Sequence, residues 1–191
     1  ASNWQQIGQD IDGEATGDSF GNSISLSHNG KIIAVGGYQN DGINGTNSGH
    51  VKIFEFNNGI WTQLGIDIDG ESVNDASGYS VSLNNNGTRV AIGATINSEN
   101  GSNSGHVRIY EWQGNSWSQL GLDIDGEAAG DYSGQSVSLN ASGDIIAIGA
   151  RENDGIGPDA GHVRVYNWDG ANWLQIGQDI DGEQAFDDFG Y

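Results

Sequence analysis

Four tryptophans, Trp4, Trp61, Trp117 and Trp173, fall 57, 56 and 56 residues apart, and each opens nearly the same phrase: WQQIGQDIDGE, WTQLGIDIDGE, WSQLGLDIDGE and WLQIGQDIDGE. An aspartate follows each phrase (Asp18, Asp75, Asp131, Asp187), and a glycine stands three residues further on (Gly21, Gly78, Gly134, Gly190). Self-similarity at this period requires one supersecondary unit repeated, each copy burying its apolar surface against its neighbours.

Each full repeat reads as four strands. The first (NSISLS, YSVSLN, QSVSLN) alternates apolar residues with serine, which predicts one buried and one polar face. A short turn (HNGK, NNGT, ASGD) has hairpin chemistry. The second strand (IIAVGG, VAIGA, IIAIGA) is apolar on both faces, as for a strand inside the fold. A loop rich in Asn, Gly and Ser leads to the third (GHVKIFEF, GHVRIYEW, GHVRVYNW). Its Val and Ile positions share one face, and its basic and aromatic positions share the other. The fourth starts at the tryptophan and runs toward DIDG. The expected fold is all-β: tandem four-stranded antiparallel blades, β-propeller-like, forming a partial ring or an open repeat array.

The predicted boundaries are a last strand and acidic loop of a preceding blade at 1–19, blades at 20–76, 77–132 and 133–188, and the start of a further blade at 189–191. The N-terminal Trp4–Asp18 segment duplicates Trp173–Asp187 almost word for word, as a cut through a longer array would. A chain without methionine is expected to be a processed product or an internal piece, and such a chain would show no signal peptide.

Composition narrows the function classes. The formal charge of −20 disfavours nucleic acid and anionic membranes as partners. No apolar run is long enough to span a bilayer, so no membrane insertion is expected. With no cysteine there is no disulfide framework and no thiol chemistry.

The segments FGNSISLSHNGKIIAVGG (Phe20–Gly37), SGYSVSLNNNGTRVAIGA (Ser77–Ala94) and SGQSVSLNASGDIIAIGA (Ser133–Ala150), with the following GHVKIFEF, GHVRIYEW and GHVRVYNW, resemble the FG-GAP repeats of integrin-α-type β-propellers. The resemblance implies an extracellular propeller serving adhesion or ligand binding, with calcium in an Asp-rich loop between the first two strands. The chain departs from that pattern. The FG is intact only at Phe20–Gly21 and Phe189–Gly190, the proline of GAP is missing, and the turns at His28–Lys31 and its equivalents are short and poor in acid.

The acid lies instead in D-I-D-G-E-x-x-x-D: Asp10, Asp12, Glu14, Asp18; Asp67, Asp69, Glu71, Asp75; Asp123, Asp125, Glu127, Asp131; Asp179, Asp181, Glu183, Asp187. These are 16 of the 26 acidic residues. In an extended backbone the first Asp, second Asp and Glu would share a face, and the glycine would permit a turn that folds the last Asp back. One reading is a Ca²⁺ ion in each inter-blade loop, since a hard cation relieves crowded carboxylates. The other is a solvated acidic turn that caps the blade.

His50, His106 and His162 open the third strands and are read as making structural hydrogen bonds rather than binding metal. Lys52, Arg108 and Arg164 are expected to form surface pairs with carboxylates. The repeated aromatics read as packing between blades, or as platforms for sugar stacking. Sequons at Asn44, Asn86, Asn100 and Asn140 fall in expected turns and are candidate glycosylation sites.

No nucleophile elbow, phosphate loop or His-Glu-x-x-His is present, and fourfold repetition of the same carboxylates argues against a unique catalytic pair, so the chain is not expected to be an enzyme. The reading is an extracellular or cell-surface structural and adhesive module, part of a larger propeller or a filamentous assembly, possessing calcium if the acidic motif is a site. Its expected partners are neighbouring copies or further repeats of the same chain, with glycans or extracellular proteins as ligands. The alternative is a multivalent carbohydrate-binding, lectin-like propeller. The third is the non-catalytic part of a secreted enzyme.

Overall fold

The structure, a computed structural model, describes residues 3–191. It contains three antiparallel sheets and no helix among those residues. The first sheet comprises β1 (Phe20–Leu26), β2 (Ile32–Gly37), β3 (His50–Asn57), β4 (Ile60–Gln63) and β5 (Ile68–Asp69). The second comprises β6 (Ser77–Leu83), β7 (Arg89–Ala94), β8 (His106–Trp112), β9 (Trp117–Gln119) and β10 (Ile124–Asp125). The third comprises β11 (Ser136–Leu139), β12 (Ile145–Ala150), β13 (His162–Trp168), β14 (Trp173–Gln175) and β15 (Ile180–Asp181).

Each sheet is a four-layer meander whose fourth strand is broken. β4 and β5 both pair with β3 along one edge, Phe56 opposite Trp61 and Val51 opposite Ile68. The ladder crosses the break through Leu64 N, which donates to Ile53 O at 2.7 Å. The first Asp of DIDGE lies in the break, the second in the short strand after it and the Glu in the loop that follows, so the break decides where they point.

The FG position is a β-bulge. The β1–β2 register shifts between Phe20 and Ser23, and Gly21 has φ +88°. Gly78 and Gly134 sit equivalently at φ +87°. Only glycine adopts this geometry without a Cβ penalty, which accounts for its recurrence there while the preceding residue varies between Phe and Ser.

The core lies between sheets rather than within any one of them. Ala34, Val51, Ile53 and Ile68 of the first sheet meet Val81, Leu83, Val90 and Ile92 of the second. Ala91, Val107, Ile109 and Ile124 of the second meet Ile146 and Ile148 of the third. Every sheet therefore has a leading face, made by the apolar residues of strands one and two, and a trailing face, made by Val and Ile of strand three.

The polar serine face that alternation predicts for the first strand is turned, in the first two sheets, against the next blade rather than to solvent. Ser23 and Ser80 Oγ donate at 2.7 Å to the carbonyls of Gly78 and Gly134 in the next sheet. Ser25 and Ser82 Oγ accept from the backbone N–H of Leu83 and Leu139, each at 2.9 Å. These serines are pegs between blades, and a two-state polar pattern cannot distinguish water from a neighbouring backbone.

Residues 3–19 form no strand; the strand expected there has no third-strand partner among the described residues. The segment lies instead against the leading face of the first sheet. Trp61 Nε1 donates to Ile7 O at 3.2 Å, and Gln9 exchanges hydrogen bonds with the Trp61 backbone.

Candidate functional site: the charged junctions between blades

The third strand begins His-Val-basic, and alternation points His and the basic residue toward the preceding blade while Val points to the following one. His50, Lys52, His106, Arg108 and His162 are all buried. Carboxylates from two different DIDGE motifs meet them. At the first junction Lys52 Nζ lies 2.6 Å from Glu14 and 3.6 Å from Asp67, with His50 Nδ1 also 3.6 Å from Asp67. At the second, Arg108 lies 3.3 Å from Glu71, and His106 Nδ1 lies 3.6 Å from Asp123. At the third, Arg164 pairs with Glu127 and makes two hydrogen bonds to Asp179, at 2.8 and 3.0 Å.

Two expectations are thereby corrected. The basic residues do not form surface pairs, because alternation turns them inward against a neighbouring sheet. The histidines do not make the expected hydrogen bonds: neither ring nitrogen of His50 or His106, nor Nδ1 of His162, has a partner. Burial is the main cause holding all three imidazoles below their ordinary pKa, so they are neutral near pH 7.

The four acids of a motif do not share a face. The first Asp of each full repeat faces the histidine of its own blade, Asp67 to His50, Asp123 to His106 and Asp179 to His162. Each first Asp accepts from a glutamine four residues earlier: Gln6 to Asp10 at 2.8 Å, Gln63 to Asp67 at 2.6 Å, Gln119 to Asp123 and Gln175 to Asp179 at 2.5 Å. The second Asp lies in the short strand, Asp69 opposite His50, Asp125 opposite His106 and Asp181 opposite His162. Asp12 occupies the equivalent place in the N-terminal segment. Burial first, then the neighbouring first Asp, raises the carboxyls of Asp69 and Asp125. The Glu reaches into the next blade's junction, as Glu14, Glu71 and Glu127 do; Glu183 has no basic partner among the described residues.

The last Asp is a turn cap, buried in Asp18, Asp75 and Asp131 and exposed in Asp187. Asp18, Asp75 and Asp131 accept from the backbone N–H of Ala15, Ser72 and Ala128 at 3.0, 2.8 and 3.0 Å, and Asp187 accepts from Glu183 and Gln184 at 2.9 Å. Asn40 and Asn153 add bonds of 3.0 Å to Asp18 and Asp131. The motif glycine does not supply the turn: Gly70, Gly126 and Gly182 lack positive φ, and a Cβ on any of them would collide with the backbone carbonyl of Ser48, Ser104 or Ala160.

The sequons lie in turns, as expected. Asn44 and Asn100 each use Nδ2 to bind a carbonyl, of Gly70 and Gly126 respectively, at 2.7 Å, and Asn140 Nδ2 binds Asp144 at 2.7 Å. Asn86 is exposed and uses only its Oδ1, toward Thr88. The aromatics pack in pairs, Phe56–Trp61, Trp112–Trp117 and Trp168–Trp173, with ring centroids 5.0 to 5.4 Å apart.

The sequence model of the FG-GAP repeat matches residues 11–54, which run from the acidic motif through the bulge glycine and the first three strands. In that segment the chain is similar to an FG-GAP repeat. A comparison with the curated proteins finds no match. Among solved structures, the chain is similar to a putative 6-phosphogluconolactonase from Bacteroides uniformis, with TM-score 0.55 and 13% identity over 83% of this chain and 40% of that one. It is also similar to Kuenenia stuttgartiensis hydrazine synthase, with TM-score 0.50 and 9% identity over 83% of this chain and 36% of that one. The β-propeller domain of the Trilobed protease from Pyrococcus furiosus matches with TM-score 0.46 and 12% identity over 80% and 42%. The chain thus spans about 40% of the length of the solved structures it resembles. At these identities the likeness shows the fold alone, a run of antiparallel blades.

The calcium loop that the FG-GAP family places between its first two strands does not fit these residues. The first-repeat turn is Ser27–Lys31, where Asn29 Oδ1 accepts from Ser27 Oγ and Lys31 N, and it holds no carboxylate. The second-repeat turn is also free of carboxylates, and the third holds only Asp144. No helix of the described residues is long and apolar enough to cross a membrane.

Proposed function

We propose that the chain is a non-catalytic, extracellular structural or adhesive module whose partners are further blades of its own kind, from neighbouring copies or further repeats. The observation that carries this reading is the pair of open faces at its ends. On the leading face of the first sheet Ile24 and Leu26 are 65% and 57% exposed, whereas their counterparts Val81 and Leu83 are 9% and 7% exposed inside the first blade contact. On the trailing face of the third sheet Ile180 is 51% exposed, against 6% for Ile68 and 7% for Ile124. The open faces are the two halves of an interface the chain already buries twice. A head-to-tail contact between such halves generates rings if it closes and filaments if it does not. Residues 3–19 already cover part of the leading face, so a docking blade displaces them or adds beside them.

At the first and third junctions a Lys or Arg of the chain itself stands between the motif carboxylates, which supports a reading in which a side chain rather than calcium balances them. Sedimentation and electron microscopy of the 191-residue chain test the assembly. Concentration-dependent rings or filaments, abolished by Ile24→Asp with Leu26→Asp, are expected; a monomer at every concentration would overturn it.

A second reading rests on a cleft of about 300 Å³ lined by Leu122, Asp123, Ile124, Asp125, Tyr166, Asn172 and Trp173. Aromatic rings beside carboxylates and an amide suit a sugar. Glycan-array binding lost on Trp173→Ala would favour that lectin-like function.

A further inference from the structure

The junction between the first and second sheets carries a carboxylate that its counterparts lack. Glu99 stands where the first repeat has Ile43 and the third has Gly155. Its backbone N–H is held at 3.0 Å by the side chain of the buried Asn97, which fixes the loop that presents it. Glu99 joins Glu71, His106 and Asp123, and one ligand atom from each lies within 4.8 Å of the others.

His106 is fully buried, and neither of its ring nitrogens has a hydrogen-bond partner. Leaving a buried polar group unsatisfied is costly, so an orphaned imidazole aimed at carboxylates calls for a ligand. Its Nδ1 faces Asp123 Oδ2 at 3.6 Å. The local cation does not fill the gap. Arg108 lies 3.3 Å from Glu71 and donates to the Asp69 carbonyl at 2.8 Å; it forms no ion pair with Asp123 or Glu99. At the other junctions the basic residue holds both carboxylates, Lys52 with Glu14 and Asp67, Arg164 with Glu127 and Asp179. Three carboxylates against one guanidinium leave the second junction with the charge of −2 that a divalent ion would neutralise.

We propose that this junction binds one divalent transition-metal ion, with zinc as the reference, through His106, Asp123, Glu71 and Glu99. An imidazole nitrogen with carboxylate oxygens suits zinc, cobalt or nickel; calcium takes oxygen ligands only. Zinc needs its ligands at about 2.0–2.2 Å, so the four side chains must close in by roughly an ångström. Glu71 and Glu99 are exposed and supply the entry path, Glu99 unpaired and Glu71 turning in from its pair with Arg108; His106 and Asp123 are the fixed wall.

Titration of the whole chain with Zn²⁺ by calorimetry, Co²⁺ by visible absorption, and melting with and without Zn²⁺ tests the site. The expected result is one equivalent per chain, a raised Tm, and no competition from Ca²⁺. Glu99→Gln, on an exposed loop, should weaken binding about tenfold or more with the metal-free Tm unchanged. Glu127→Gln, at the third junction, should leave Zn²⁺ binding as it is. No saturable binding, several equivalent sites, or equal affinity for Glu99→Gln and the parent would overturn the proposal, the last marking simple adsorption to an acidic surface.

Discussion

The indole Nε1 of Trp117 donates a 2.8 Å hydrogen bond to the carbonyl of Leu64 in the preceding blade. Trp173 does the same to Leu120 at 2.8 Å, and Trp61 to Ile7 at 3.2 Å. Leu64 and Leu120 sit at the break in the fourth strand, where the carbonyl has left its own ladder. The glycine after each acceptor is required by the same contact, since a Cβ on Gly65 would press on Trp112 and Trp117 at 3.0 Å. The tryptophan that marks the repeat in the sequence is thus the latch between consecutive blades.

Trp117→Phe removes the N–H and leaves the Leu64 carbonyl without its partner. The expected loss is about 1 kcal/mol, read from the midpoint of urea unfolding. Trp61→Phe, whose bond is longer and more exposed, should lose less; equal losses would argue that ring size rather than the hydrogen bond matters.

Gly93→Ala should be among the most damaging small substitutions in the chain. A Cβ there would overlap the carbonyl of Gly134, forcing the second and third blades apart. About 3 kcal/mol is expected, with loss of cooperativity between blades. Gly59→Ala is the contrast: its φ of +86° is strained for alanine, but nothing lies within 4 Å, so about 1 kcal/mol is expected.

Ser82→Ala strips the acceptor from the Leu139 N–H across the second blade contact. A backbone donor left unsatisfied in a partly buried contact costs about 1–2 kcal/mol. Thermal unfolding should show it, and Ser138→Ala, whose side chain is exposed on the open trailing face, should be near neutral.

His50 and His162 make stability depend on pH. Burial, reinforced by Lys52 and Arg164, lowers their folded pKa values against the pull of Asp67, Glu14 and Asp69 on one and Asp179, Glu127 and Asp131 on the other. A histidine whose folded pKa is lowered binds more protons unfolded than folded. Its contribution is complete above the ordinary value of 6.5 and is lost as pH falls below it. Urea midpoints in metal-free buffer should fall from pH 7.5 toward pH 5, and His50→Gln should flatten that slope. Asp179, held down by its bonds to Arg164, adds a further loss at lower pH.

Arg164→Met should remove the cation between Glu127 and Asp179. These carboxylates are partly exposed, so the loss is about 1–2 kcal/mol. The parent Tm should not change with calcium or a calcium-selective chelator, whereas the variant, with two uncompensated carboxylates, should gain stability from calcium. A calcium-dependent parent would show that the ion, not the side chain, balances the motif.

Much of the architecture was legible in the residues alone. The tryptophan period set the blade count, alternation set the strands, and the third strand's split between Val/Ile and basic/aromatic positions correctly named its two faces. These are local properties: a period of two along a strand fixes which residues share a face whatever the neighbour is. What covers each face is not local. The serines read only as a polar face, and in the first two sheets they are pegs into the next backbone. The DIDGE acids looked like one cluster, yet the broken fourth strand sends the first Asp to its own blade's histidine, the Glu to the next blade's basic residue, and the last Asp under a turn. His106 and Glu99 lie 7 residues apart in sequence and gave no ligand spacing; only the packing of two sheets brings them to Glu71 and Asp123. The sequence determined the repeat and the strand faces, because those depend on backbone periodicity. The tertiary structure decided the chemistry of the junctions, because each junction is built from side chains about 40 to 50 residues apart that meet only when one blade stacks on the next.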